Sequence, residues 1–297
     1  MFSMNKVLKT SGILASLLTL VSACAPRSAL QQSTSLDFDS GIIGGNPVDA
    51  QEEMAKSTVA IGTMFSGNFC TGTLVAKNLV VTAAHCTGLV RDPRMMIILF
   101  GSDLSKKNSI ETRKVLGGQV PDAWPALTEG QTKDEGDVAL LKFEGEAPAG
   151  FKPMRLLGNP EQLIAGMDVT LVGYGLTNMD PETDPKKLMK AAVKLSNPTF
   201  AKTEILFEQH EGRGACHGDS GGPAFAVINQ KTFLIGVTSR SITEAGGNTC
   251  LEGSIYSSVA GQIEFLKKAA RYLNSAQFVP GKPIPQPKLD SEPQGNK

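Results

Sequence analysis

Histidine and tryptophan are scarce: the 297 residues hold three of the first and one of the second, so each histidine can be weighed as a chemical group in its own right. An excess of one charge is missing too. Lysine and arginine number 29, and aspartate and glutamate 29, which provides no basic face for a nucleic acid and argues against that class of partner. The five cysteines are few for a chain long enough to build its own hydrophobic core, so this is not a disulfide-dependent miniprotein. No stretch alternates strands with long helices, which speaks against a parallel α/β sheet, and no internal repeat is visible. The apolar stretch Ile13 to Val21 is too short to span a bilayer as a mature helix.

That stretch follows Lys6 and Lys9 and ends in Val21-Ser22-Ala23-Cys24. A basic start, a short apolar centre and small residues at a cleavage point read as a signal peptide over residues 1–23. The last four residues resemble a bacterial lipobox, which implies acylation of Cys24 and attachment of the mature chain to a membrane. Ala25 is not the aspartate associated with inner-membrane retention, so the outer membrane is the expected place. A secreted chain with an incidental cysteine and a retained anchor are the alternatives. Export leads to an oxidising compartment where cysteines pair. Cys24 is the odd one if Cys70, Cys86, Cys216 and Cys250 pair among themselves, and spacing alone allows three pairings.

Residues 24–41 are polar, small and aperiodic, a lipidated tether or propeptide. From Ile42 the chain turns to short apolar runs between turn residues, among them Thr58 to Gly62, Leu79 to Thr82, Met96 to Phe100, Val138 to Phe143, Val169 to Gly173, Phe225 to Ile228, Phe233 to Thr238 and Ser254 to Val259. With 31 glycines and 17 prolines as punctuation, this predicts an all-β sandwich or barrel. Helical spacing occurs over residues 262–273, where Ile263, Phe265, Leu266, Ala269, Ala270 and Leu273 share a face. The proline-rich residues 275–297 read as a disordered tail.

Three segments carry chemistry. In Gly218-Asp219-Ser220-Gly221-Gly222-Pro223 a serine sits among glycines that expose its Oγ, leave backbone N–H groups free for an oxyanion, and let a substrate backbone approach. Thr82-Ala83-Ala84-His85-Cys86 places a histidine at the end of an apolar strand. Asp137-Val138-Ala139-Leu140-Leu141 places an acid directly before a buried strand, where it can orient an imidazole; Asp134 is the reserve. His210 reads as a solvated loop residue.

In this order, and with Ile42-Ile43-Gly44-Gly45 as a fourth match, the segments resemble the trypsin and chymotrypsin family of serine proteases over about residues 42–274. The resemblance implies two packed six-stranded antiparallel β-barrels, about 42–150 and 151–260, followed by the helix. It implies Ser220 as nucleophile, His85 as general base and acid, and Asp137 as the group that orients His85. It further implies an oxyanion hole of the Gly218 and Ser220 N–H groups. Asp219 would receive the α-ammonium of Ile42 after proteolytic release, by an activating protease that the sequence does not identify. The disulfides implied are Cys70 to Cys86 and Cys216 to Cys250. No cofactor and no metal are called for, substrates would be proteins or peptides, and a monomer is expected.

Departures from the family bear on specificity. Gly214 stands where the residue at the base of the primary pocket is expected, so a charged P1 side chain finds no partner. Small residues at Gly214, Ser241 and Ser254, with Ser239 on the strand that pairs with substrate, predict an open, uncharged pocket for an apolar P1 group, medium or aromatic before small. Arg240 replaces the usual aromatic and, with His217, is the argument for a glutamate preference. Gly41 precedes Ile42 where a trypsin-activated zymogen carries Lys or Arg. The loop after Gly101 lacks the paired acids of a calcium site. The rival from another class is a non-catalytic surface lipoprotein binding through the same fold; loss of a triad residue would support it, and none is lost. An esterase on an α/β-hydrolase fold conflicts with the order of the three groups.

Overall fold

The computed structural model describes residues 42–64, 70–124, 136–175, 186–209, 212–242, 250 and 252–286. The export segment with Cys24, the tether, Gly41, Asp134 and His210 lie outside the described residues.

Turn residues cut the first half into β1 (Asn46–Pro47), β2 (Thr58–Thr63), β3 (Cys70–Ala76), β4 (Leu79–Thr82), β5 (Met96–Phe100), β6 (Glu111–Gln119) and β7 (Ala139–Phe143). Antiparallel pairing closes six of them into a barrel in the order β2-β3-β4-β7-β6-β5. The period of two is plain in β5, where Met96, Ile98 and Phe100 are buried and Ile97 and Leu99 half-buried. Phe100 meets Phe143 and Phe151 edge-on, at centroid distances of 5.6 and 5.0 Å, the arrangement that ring quadrupoles favour.

The second half holds β8 (Arg155–Leu156), β9 (Asp168–Gly173), β10 (Met189–Lys194), β11 (Asn197–Ala201), β12 (Glu204–Glu208), β13 (Pro223–Ile228), β14 (Lys231–Ile242) and β15 (Gly253–Ser258). With β1 they make a nine-stranded sheet, β1-β10-β9-β13-β14-β15-β12-β11, with β8 running parallel on β14. The all-β class with a closed first barrel and one terminal helix is therefore as read from sequence. The second sheet differs in detail from a six-stranded barrel: it has nine strands, β1 and β8 among them, and no pairing among the described residues closes it. Twelve-residue β14 can serve three neighbours because of its length: β8 pairs at Phe233 and Leu234, β15 from Gly236 to Ile242, and β13 from Lys231 to Val237.

Helix α1 (Ile263–Leu273) starts one residue later than its periodicity suggests. It buries Leu266, Ala269 and Leu273 and packs on β6 and β7. Glu264 in its first turn and Arg271 in its last match the sign of the helix dipole. The disulfides are Cys70–Cys86, which ties β3 to the turn after β4, and Cys216–Cys250.

The expectation of a disordered tail from residue 275 is corrected for Ser275 to Gln286. Phe278 stacks edge-on with Tyr272 at 6.2 Å, Gly281 donates its N–H to the Leu116 carbonyl at 2.8 Å, and Ile284 is buried in the first-barrel core. Proline content is the ground of that expectation. Here the prolines fix an extended segment that needs no hydrogen bonds of its own.

Candidate active site

His85 opens a short 3₁₀ turn, His85–Leu89, directly beyond β4 and the buried Ala83 and Ala84. Asp137 lies two residues before β7, its side chain almost wholly buried. β4 and β7 pair through Thr82 and Ala139, so sheet register alone brings the two groups together across 52 positions of sequence. Asp137 Oδ1 accepts the His85 backbone N–H at 3.0 Å, and Oδ2 accepts from His85 Nδ1 at 2.8 Å and from Ser239 Oγ at 2.7 Å. The Asp137 carbonyl accepts from Ser257 Oγ at 2.7 Å.

A carboxylate only accepts, so Nδ1 carries the ring proton and Nε2 keeps its lone pair. The His85 side chain remains 37% exposed, which leaves that lone pair open to a substrate. Burial opposes a charge on His85, but the Asp137 charge and hydrogen bond outweigh it and raise the imidazole above its ordinary 6.5. Burial likewise opposes the charge on Asp137. The His85 partner and the donors from His85 and Ser239 prevail, and hold the carboxyl below its usual range.

Ser220 sits in a turn pressed against the strands that lead to His85. Its carbonyl accepts from Thr71 N–H at 2.8 Å, and the Gly218 carbonyl accepts from Thr71 Oγ1 at 3.1 Å. A Cβ on Gly221, which has φ of 78°, would lie 2.0 Å from Thr82 Oγ1 and 2.8 Å from Ala83 N. Only glycine permits that approach. Among the described residues none accepts the N–H of Gly218 or Ser220, whereas those of Asp219, Gly221 and Gly222 are all taken by backbone carbonyls.

Asp219 is fully buried. Its carboxylate accepts N–H from Gly175 and Cys216, each at 2.9 Å, and from Ile42. Burial pushes it up to about 7, against the pull of those three neutral donors. Ile42 is itself buried, and Ile43 and Gly214 exchange backbone hydrogen bonds of 2.9 and 3.1 Å. Ile42 has φ of 60°, a left-handed conformation that costs a β-branched residue about 1–3 kcal/mol.

Beside Ser220 lies a cavity of about 270 Å³ whose walls include Ala215, His217, Ser239, Ser241 and Ser254. Gly214 is not on it. The side chain of Gln209 covers that glycine: a Cβ on Gly214 would fall 1.3 Å from Gln209 Nε2, which donates to the Ala215 carbonyl at 3.3 Å. Among the described residues, Gln209 Oε1 is buried without a hydrogen-bond partner. The pocket base read as open at Gly214 is thus filled from a loop five residues upstream, and no local signal in the sequence marks Gln209 for that place. Arg240 forms a two-pronged pair with Glu204, 2.6 and 2.9 Å. Glu204 is buried, so the charge invoked for acidic substrates is matched inside the protein. His217 is exposed at the rim.

Comparison with known proteins gives the family. The trypsin family model matches residues 42–265. A trypsin of Saccharopolyspora erythraea is 31% identical over 209 residues, 67% of this chain and 86% of the relative. Hypodermin-A of Hypoderma lineatum is 26% identical over 250 residues, 80% and 89% of the two chains. The alpha-fibrinogenase albofibrase of Trimeresurus albolabris is 29% identical over 246 residues, 78% and 87%.

Proposed function

The chain belongs to the trypsin family, and from that premise we propose that it is an exported endopeptidase in which Ser220 attacks the peptide carbonyl while His85 and Asp137 manage the proton. Ser220 Oγ gives its proton to His85 Nε2 as it bonds to the carbonyl carbon. The oxyanion is met by the N–H groups of Gly218 and Ser220, which have no acceptor among the described residues. His85 then passes the proton to the leaving amine, and water repeats the sequence on the acyl-enzyme. The observation that carries this reading is the buried Asp137 carboxylate bonded to both nitrogens that fix the His85 ring. A fluorophosphonate probe tests it: the wild-type chain takes the label and Ser220→Ala does not. An unlabelled wild type that is correctly folded would turn the case towards the non-catalytic binding module.

His85 sets the acid limb of activity. Its folded-state pKa is raised, so kcat/KM should climb with pH through a midpoint above 6.5, as the imidazolium loses its proton. A midpoint at or below 6.5 in a pH profile would show that Asp137 does not act on the ring as described.

On this reading the cavity carries no unmatched charge, since Arg240 on its wall is paired with Glu204, and Gln209, which covers Gly214, limits its depth. The wild-type enzyme is therefore expected to cleave after medium apolar residues. Gln209→Ala should open the space against Gly214 and raise kcat/KM for Phe or Tyr at P1, relative to Leu, by about tenfold, the worth of a methylene or two in such a pocket. A set of peptide anilides varied at P1 gives the ratio directly, and an unchanged ratio removes Gln209 from the pocket. Two disulfides suit an oxidising compartment. Export through residues 1–23, a lipid on Cys24 and activation at Ile42 complete the proposal.

A further inference from the structure

We infer that Ser275 to Gln286 form a strap that positions the His85 turn, with Gln286 as the positioning residue, on the reading of His85 as general base. The strap lies beyond the family match, which ends at residue 265. It leaves α1 and is fastened to the first barrel in three steps. Phe278 lies under Lys142 Nζ, 5.4 Å from the ring centre. Gly281 bonds to Leu116. Ile284, 7% exposed, fills the place of a side chain on Gly118, where a Cβ would be 2.9 Å from its Cδ1.

Its end reaches the histidine turn. Gln286 Nε2 donates to Thr87 Oγ1 at 2.6 Å. Thr87 is buried, and its hydroxyl donates to the Ala84 carbonyl at 2.7 Å, the same oxygen that accepts the Thr87 N–H at 3.0 Å. Gln286 therefore fixes the hydroxyl that closes the turn on which His85 stands. Its Oε1 also lies 2.8 Å from where a Gly88 Cβ would be, so the amide rests against the next residue as well. Cys86 is already tied to Cys70. The turn is held covalently from β3 on one side and by the strap on the other. Prolines at 280, 283 and 285 stiffen the strap, so Gln286 arrives with little entropy left to lose.

Small displacements of a base weaken catalysis more than binding. Gln286→Ala and Gln286→Glu, neither of which can donate to Thr87, should lower kcat about 3- to 10-fold with KM unchanged. The acid limb should move to lower pH as the His85–Asp137 contact loosens. Thr87→Ser keeps the hydroxyl and should retain wild-type kcat. Melting curves of all variants are recorded at the assay pH. Equal kcat in wild type and both Gln286 variants, or losses that follow the unfolded fraction at assay temperature, would overturn the inference. Labelling by a fluorophosphonate separates the two readings: no label on the wild type strikes at the protease itself, whereas equal labelling rates in wild type and the Gln286 variants strike at the strap alone.

Discussion

Replacing Ser220 by alanine will lower kcat by about 10⁶-fold while the thermal midpoint stays within a few degrees of wild type. The two halves of that expectation have separate causes. The contacts that hold the Ser220 turn are made by backbone: its carbonyl takes Thr71 N–H, and Gly221 N–H goes to the Thr238 carbonyl at 2.8 Å. Alanine keeps both, and the side chain is half-buried at a cavity wall, so little packing is lost. Chemistry, by contrast, loses the atom that forms the acyl bond. His85→Ala should cost nearly as much, and the double variant no more than either single one, because nucleophile and base act as a unit. Steady-state kinetics on a peptide anilide, with the variants purified away from host proteases, measures all three. A Ser220→Ala loss of only tenfold, or a double variant that multiplies the single losses, would sink the shared-unit argument.

These groups were legible in the sequence because each announces itself locally. His85 follows an apolar strand whose bounds, Leu79–Thr82, match the structure residue for residue. Asp137 stands out from its acidic neighbours because it directly precedes the run Val138-Ala139-Leu140-Leu141, and the register of β4 with β7 delivers it to His85. What was not legible lies in contacts between segments that carry no pattern. β6 (Glu111–Gln119) presents exposed or half-buried polar residues over its first half, so no apolar run marks it. Gln209 reads as one more polar loop residue until Gly214 is seen to be vacant of a side chain for its sake. Arg240 and Glu204 are 36 positions apart, and the charge on the arginine suggested a substrate contact only while its partner was unseen. In the tail, proline content outweighed Phe278 and Ile284, although two apolar residues on a stiff segment are enough to seat it on a barrel face.

The second large effect is expected at the Ile42–Asp219 contact. A chain that begins at Ile42 should show kcat/KM about 10²- to 10⁴-fold above one that extends back to Ala25, the equivalent of the roughly 3–5 kcal/mol attached to a buried ion pair. In the extended chain Asp219 meets only neutral N–H donors, and burial pushes its carboxyl to about 7. Release of Ile42 turns one of those donors into an ammonium, which favours the carboxylate and brings that pKa down. It also abolishes the left-handed φ of Ile42, since φ is defined by the preceding carbonyl and a free N-terminus has none. Both changes favour the inserted state.

Stability against pH separates the two forms. In the extended chain the folded state holds the Asp219 proton up to about 7, while the unfolded chain releases it near 3.9. Folded protein thus binds more protons within that window, and stability must fall as pH rises through it, by about 4 kcal/mol in all. The released chain should lack this fall and instead weaken above about pH 8, where the ammonium deprotonates. Asp219→Asn makes the contrast sharper. In the released chain it strands a buried ammonium and should cut kcat/KM by at least 10²-fold; in the extended chain it removes a buried acid that has no cationic partner and should flatten the fall of stability between about pH 4 and 7. Equal pH-stability curves for the two forms, or an Asp219→Asn effect of the same sign and size on the stability of both, would mean that Ile42 does not act through Asp219.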